Sequence, residues 1–136
     1  MLVIQSNFAN KMIDHAVLEN PNECCGILVG ESDEIRHIYP ITNIRKSPYS
    51  YVMDPQEQLD AMIESDQKGW EFLAFYHSHT HSPAYPSTTD VRMALRSGWL
   101  DVYYVLISLE KQGTPELRAF HISESGIISE DNIQTD

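Results

Sequence analysis

His77 and His79 are separated by one residue, and Asp90 follows eleven positions after the second, with Ser87 just ahead of it. Two neutral imidazoles and a carboxylate make a three-donor shell for a zinc ion. Such a shell leaves the fourth tetrahedral position open for water, as in a catalytic rather than a structural site. The histidines end the apolar run Phe72-Leu73-Ala74-Phe75-Tyr76, which reads as a buried strand. Residues i and i+2 of a strand point to one face, so both imidazoles can reach one ion while Ser78 faces away. Ser87 suits a helix N-cap, and Asp90 then falls in the first turn of the helix it opens. Val91, Met93, Ala94 and Leu95 continue that helix in a compatible apolar pattern ending near Gly98. A carboxylate on the first turn lies near the positive end of the helix dipole and can face back toward the histidines.

Amide hydrolysis also needs a group that carries a proton to the leaving amine. The chain has no His-Glu-x-x-His helix to supply one. Glu23 is the best candidate, because it starts an otherwise apolar strand, where a charge is costly without a partner or a task. Read alone, Glu23 fits equally well as a surface carboxylate at a strand end.

The remaining elements form a scaffold around these residues. Ser6 is expected to cap a first amphipathic helix that buries Phe8, Met12, Ala16 and Leu18 and stops at Asn20-Pro21. Glu23-Cys24-Cys25-Gly26-Ile27-Leu28-Val29-Gly30 reads as a central strand, apolar on both faces. Residues 34–41 pair back through a tight turn, with Ile35, His37 and Tyr39 on one side, and residues 49–53 form another short strand. Asp54-Pro55-Gln56-Glu57 is a helix start, with an N-cap Asp, Pro at the first position and Glu three residues after the cap. Leu59, Met62 and Ile63 are expected to form that helix's buried face, and Lys68-Gly69 its end. Residues 101–109 read as a core strand, 111–115 as a turn and 116–122 as its hairpin partner. Residues 126–128 add a last short strand, and the polar tail beyond is expected to fray. The pattern predicts an α/β sandwich built on one mixed sheet.

Composition narrows the function classes. The 136 residues suit one domain spanning 1–136. Twenty acidic residues against nine basic ones give a formal charge of -11, which argues against nucleic acid as a partner. The same charge suits either a basic protein partner or a solvated acidic surface. No apolar run reaches the ~20 residues that span a bilayer, and the first residues do not read as a secretory signal. The only cysteines, Cys24 and Cys25, are adjacent, which reads as two reduced thiols packing to opposite faces in a cytoplasmic chain. His81 reads as an exposed loop residue, and His15, His37 and His121 as structural or solvent-facing.

Glu23-Cys24-Cys25-Gly26-Ile27-Leu28-Val29-Gly30, His77-Ser78-His79 and Pro86-Ser87-Thr88-Thr89-Asp90 stand in an order and spacing that resembles the JAMM (MPN+) metalloprotease family. The likeness covers essentially the whole chain. It implies an MPN/JAB1 fold, with a single mixed β-sheet, partly curled and flanked by helices, similar in architecture to cytidine deaminases. It implies that His77, His79 and Asp90 bind one Zn2+ per chain. In that scheme Glu23 acts as general base and then acid, and Ser87 hydrogen-bonds the oxyanion. Thr80 departs from the pattern of many members, which have Pro after the second His.

Tyr76-His77-Ser78-His79-Thr80, Ala84-Tyr85-Pro86-Ser87 and the upstream run Tyr51-Val52-Met53-Asp54-Pro55-Gln56-Glu57-Gln58-Leu59 look like the bacterial group acting on ubiquitin-like sulfur carriers. The expected partner is then a carrier with a Gly-Gly C-terminal tail, and the expected reaction releases cysteine from it in cysteine biosynthesis. A general isopeptidase or precursor-processing protease is the alternative within the enzyme class. A non-catalytic scaffold binding ubiquitin-like proteins is the alternative outside it. The oligomeric state is not fixed by the sequence.

Overall fold

The molecule, a computed structural model, is described for residues 1–111 and 113–136. Its elements run β1 (Leu2–Val3), α1 (Ser6–Glu19), β2 (Cys25–Glu31), β3 (Glu34–Ile41), α2 (Pro55–Gln67), β4 (Glu71–His79), α3 (Thr88–Ser97), β5 (Tyr103–Ser108), β6 (Glu116–Ile122), β7 (Ile128–Asp131) and β8 (Ile133–Gln134). All strands join one mixed sheet in the order β7-β6-β5-β4-β2-β3-β1-β8. The pairs β4·β5, β1·β3 and β1·β8 are parallel, and the other neighbours are antiparallel. The two edge strands, β7 and β8, are separated in the chain by Asn132 alone. The sheet therefore has to curl until its edges nearly meet. The Met1 ammonium on Asp131 (3.0 Å) and the Leu2 N–H on the Asn132 carbonyl (2.9 Å) fasten that closure.

The central strands are buried on both faces, which explains their unbroken apolar runs. One face packs Leu28, Ile38 and Tyr76 against Ala9, Met12 and Ala16 of α1. The other packs Ile27, Phe75 and Leu106 against Ala61 of α2 and Ala94 of α3. Cys24 belongs to the first cluster and Cys25 to the second, as strand alternation requires. Both thiols are free and buried, and burial pushes them up, Cys24 to about 12. They pack as small apolar groups rather than as nucleophiles. Gly26 is needed for space, because a side chain there would run into the Tyr76 ring on the facing strand.

Several sequence expectations are corrected. Gln5, not Ser6, is the cap position of α1, without a side-chain cap, and Leu18 is exposed while Ala9 is buried. A bulge between Val29 and Gly30 breaks the alternation of β3, so Ile35 joins the α1 face while His37 and Tyr39 lie toward the other. Residues 49–53 form an open loop tied down by a single bridge, Asn43 to Met53. The side-chain amide of Asn43 bonds the backbone of Arg45, Ser50 and Val52, groups a strand ladder would have used. α2 docks through Ala61 and Ser65, so Leu59 and Ile63 are about half exposed and Met62 is half-buried. α3 docks through Ala94, with Val91 packed beside it, leaving Met93 and Leu95 partly exposed. The tail does not fray. It supplies β7 and β8, held by backbone pairing and by a two-pronged Arg118–Glu130 bond (2.9 and 2.7 Å). The turn expected at 111–115 includes Gln112, which lies outside the described residues. Among the described residues, no helix is long and apolar enough to cross a membrane.

Candidate active site

β4 brings His77 and His79 to the end of the central sheet, where they are buried to 1% and 4% exposure. Cys25 pairs with His77, and the Ser78 N–H donates to the Cys24 carbonyl (3.1 Å). Extending that antiparallel register one step sets Glu23 across from His79, on the same face as both histidines. The Ser78 hydroxyl accepts from the Cys24 N–H (2.8 Å), which locks the strand ends together.

α3 delivers the third donor through its cap. The Ser87 hydroxyl accepts from the Asp90 N–H (3.0 Å), and the Asp90 carboxylate accepts from the Ser87 N–H (2.9 Å), a reciprocal capping box. The same Oδ2 of Asp90 lies 2.9 Å from His79 Nε2 and 3.2 Å from His77 Nε2, and the two imidazole nitrogens are 3.2 Å apart. The local rule that starts a helix thus also aims a carboxylate at the histidines.

His79 Nδ1 lies 2.8 Å from the Pro83 carbonyl and must donate to it, so a neutral His79 presents a bare lone pair at Nε2. Nε2 of both histidines and Oδ2 of Asp90 then converge on one point, where a single cation can satisfy all three. The separations of 2.9–3.2 Å compare with about 3.3 Å between ligand atoms of a tetrahedral ion with bonds near 2.0–2.1 Å. These residues fit a divalent metal ion, and His77, His79 and Asp90 form the one such cluster of three or more among the described residues. Without an ion, protons do the same work. His79 is raised despite burial, because Asp90 bonds it. Burial pushes Asp90 upward, but the two imidazoles and the Ser87 amide outweigh it and hold it well below the usual carboxylate range.

Glu23 is 3% exposed, and burial pushes its carboxyl up to about 7, against the pull of His77 and His79. Glu23 Oε1 and His77 Nδ1 are the buried side-chain polar atoms without a partner among the described residues, and both belong to this site. Unpartnered buried atoms gathered in one place need a physical account, such as a bound ion, a bound water or a proton-transfer role. A folded-state value above the unfolded one means that stability falls as pH rises between about 4.5 and 7. We therefore expect metal-free Glu23→Gln to be more stable than metal-free wild type by up to about 3 kcal/mol at pH 8. The gain should shrink toward zero below pH 5, as read by urea unfolding across pH.

Asn43 is the residue that sequence reading missed. Its amide donates to the Glu23 carbonyl (3.0 Å) and the Ser50 carbonyl (3.2 Å) and accepts from the N–H groups of Arg45 and Val52 (both 3.1 Å). The Glu23 N–H is held in turn by the Ser47 carbonyl (2.9 Å). One buried amide therefore ties the 43–52 loop to the backbone of Glu23. Nothing in its sequence neighbourhood marks it, since all four of its partners are backbone groups, which carry no residue signature. Thr80 joins the same loop: its hydroxyl donates to the Pro48 carbonyl (3.3 Å). His81 is exposed, bonded to Thr80 and outside the donor cluster. A cleft of 350 Å³ opens beside His77 and Asp90, bordered by the start of α2 at Pro55 and Gln58, by Tyr51 and by Trp99.

Comparison with known proteins places the fold. The family model described as prokaryotic homologs of the JAB domain matches residues 6–123. A CysO-cysteine peptidase of Mycobacterium tuberculosis is 38% identical over 135 residues, covering 96% of this chain and 88% of that protein. A desampylase of Pyrococcus furiosus is 30% identical, covering 95% of this chain and 86% of that protein. A solution structure of a Desulfitobacterium hafniense protein superposes with a TM-score of 0.86 at 34% identity, covering 100% of this chain and 93% of the other. The curled mixed sheet thus has its counterpart in a solved structure, and the chain belongs to the prokaryotic JAB-domain family.

Proposed function

We propose that the chain is a zinc metallopeptidase that hydrolyses the amide bond after the C-terminal glycine of a ubiquitin-like sulfur carrier, releasing cysteine in the cytoplasm as a step of cysteine biosynthesis. The observation that carries this reading is the convergence of three metal-ligating atoms, on His77, His79 and Asp90, beside a buried carboxyl oxygen that lacks a partner. Relatives named as a CysO-cysteine peptidase and a desampylase support a hydrolase acting on conjugates of small carrier proteins.

In this mechanism His77, His79 and Asp90 hold Zn2+. When bound, zinc supplies Lewis acidity to the scissile carbonyl and to the attacking water. Glu23 accepts the proton of that water as it attacks the glycine carbonyl carbon. It then passes the proton to the leaving amine as the C–N bond breaks. Burial pushes the Glu23 carboxyl upward, which makes it a better proton acceptor than a solvated carboxylate. The Ser87 oxygen accepts the cap bond from Asp90, which leaves its O–H free to donate to the oxyanion. Asn43 and Thr80 fix the 43–52 loop against the Glu23 backbone and the end of β4.

The test is to incubate the zinc-loaded protein with a carrier whose Gly-Gly tail is extended by cysteine and to weigh the carrier by mass spectrometry. We expect loss of one cysteine residue and a free glycine carboxyl. An unchanged carrier mass, with cleavage instead of a lysine-linked carrier conjugate, would establish the broader isopeptidase. No cleavage of either, with the carrier still bound, would leave a scaffold.

A further inference from the structure

The cleft beside the candidate metal ligands is a half-open, mainly apolar pocket. Its 350 Å³ are walled by Tyr51, Met53, Phe75, Met93 and Trp99, and His77 and Asp90 open into it. An apolar pocket of that size is built to desolvate a side chain. A Gly-Gly tail has none to offer, so on the peptidase reading proposed above the occupant comes from the other side of the scissile bond. Arg45 stands among the lining residues, the one basic side chain there. Its guanidinium donates to the Ser50 hydroxyl (3.2 Å) and forms no ion pair among the described residues. Arg45 is exposed, so its guanidinium is open to a ligand from solvent. The guanidinium fork matches a carboxylate. A residue that leaves as a single terminal amino acid carries both features, an apolar side chain and a free α-carboxylate.

We propose that this pocket binds the departing C-terminal residue, with its side chain between Tyr51, Met93 and Trp99 and its α-carboxylate on Arg45. The enzyme is then an exopeptidase that removes one residue and selects apolar ones up to leucine or phenylalanine in size. Cysteine fits the pocket without filling it. Specificity against internal peptide bonds follows from the charge, since an extended chain presents Arg45 with an amide.

The test uses two readouts. Peptides ending Gly-Gly-Xaa, with Xaa as Gly, Asp, Cys, Leu or Phe, are offered to the zinc-loaded protein as free acids and as C-terminal amides. We expect kcat/KM to be about 10- to 100-fold higher for Leu and Phe than for Gly, and the free acids to exceed the amides by about 10-fold or more. Arg45→Gln should abolish the acid-over-amide preference, and Arg45→Lys should restore part of it. Separately, leucine should quench Trp99 fluorescence in the wild type, and leucinamide should do so far more weakly. Selectivity that tracks the residue upstream of the glycines, or a flat preference with no leucine binding, overturns the pocket assignment while the peptidase reading stands. Arg45-dependent leucine binding with no peptide cleaved supports the pocket assignment and counts against the peptidase reading.

Discussion

Glu23→Gln is expected to keep a full complement of zinc and to lose about 100- to 10,000-fold in turnover. The side chain is nearly isosteric, and the backbone bonds that hold residue 23, from Asn43 and to Ser47, do not involve its carboxyl. The variant should therefore fold, bind metal and bind substrate with little change in KM, while kcat collapses. Removal of a group that acts only as bonds are made and broken gives that split. A structural role for Glu23 would give a different result: lower stability in the variant, with kcat and KM moving together. The buried Oε1 without a partner argues for the first outcome, since a carboxylate kept for stability would be hydrogen-bonded. Turnover and stability should thus move in opposite directions in one variant, as expected of a strained catalytic group.

Substitution of a donor in the convergent cluster carries the second large effect. His77→Ala, His79→Ala and Asp90→Asn are each expected to abolish stoichiometric zinc and, with it, turnover. Asp90→Asn is the more informative choice over alanine at that position, because an amide oxygen can still accept the Ser87 N–H and keep the helix cap. Loss of metal in that variant then reports on charge rather than on a frayed α3. Thermal unfolding gives an independent reading. Zinc at about 100 times its Kd should stabilise the wild type by about 2.7 kcal/mol, a rise of about 10 °C for a domain of this size. The same addition should leave each variant's melting temperature unmoved.

The parts of this site that were legible in the sequence are those governed by local rules. The alternation of a strand brings His77 and His79 to one face, and the Ser87–Asp90 spacing is a capping box whatever else it does. α2 was legible at its start for the same reason, since Asp54 caps it with bonds to Gln56 and Glu57. The expected buried face of α2 failed because docking, not periodicity, decides which stripe faces the sheet. Ala61 and Ser65 allow close approach where Leu59 and Ile63 would hold the helix off. The bulge at Val29 and Gly30 was likewise invisible, being a property of two strands together. Asn43 escaped because its role lies in long-range bonds to Glu23, Ser50 and Val52, which no local pattern encodes. The tail was misjudged from its polarity, whereas its place in the sheet rests on backbone pairing to β1 and β6.

The central claim is that one metal ion held by His77, His79 and Asp90 makes this chain a hydrolase. Its most direct test is to titrate metal-free protein with zinc while following release of cysteine from a carrier with a Gly-Gly-Cys tail. Turnover should rise in proportion to zinc and break sharply at one equivalent per chain. Turnover already complete in metal-free protein, or absent at one bound equivalent, would contradict the account.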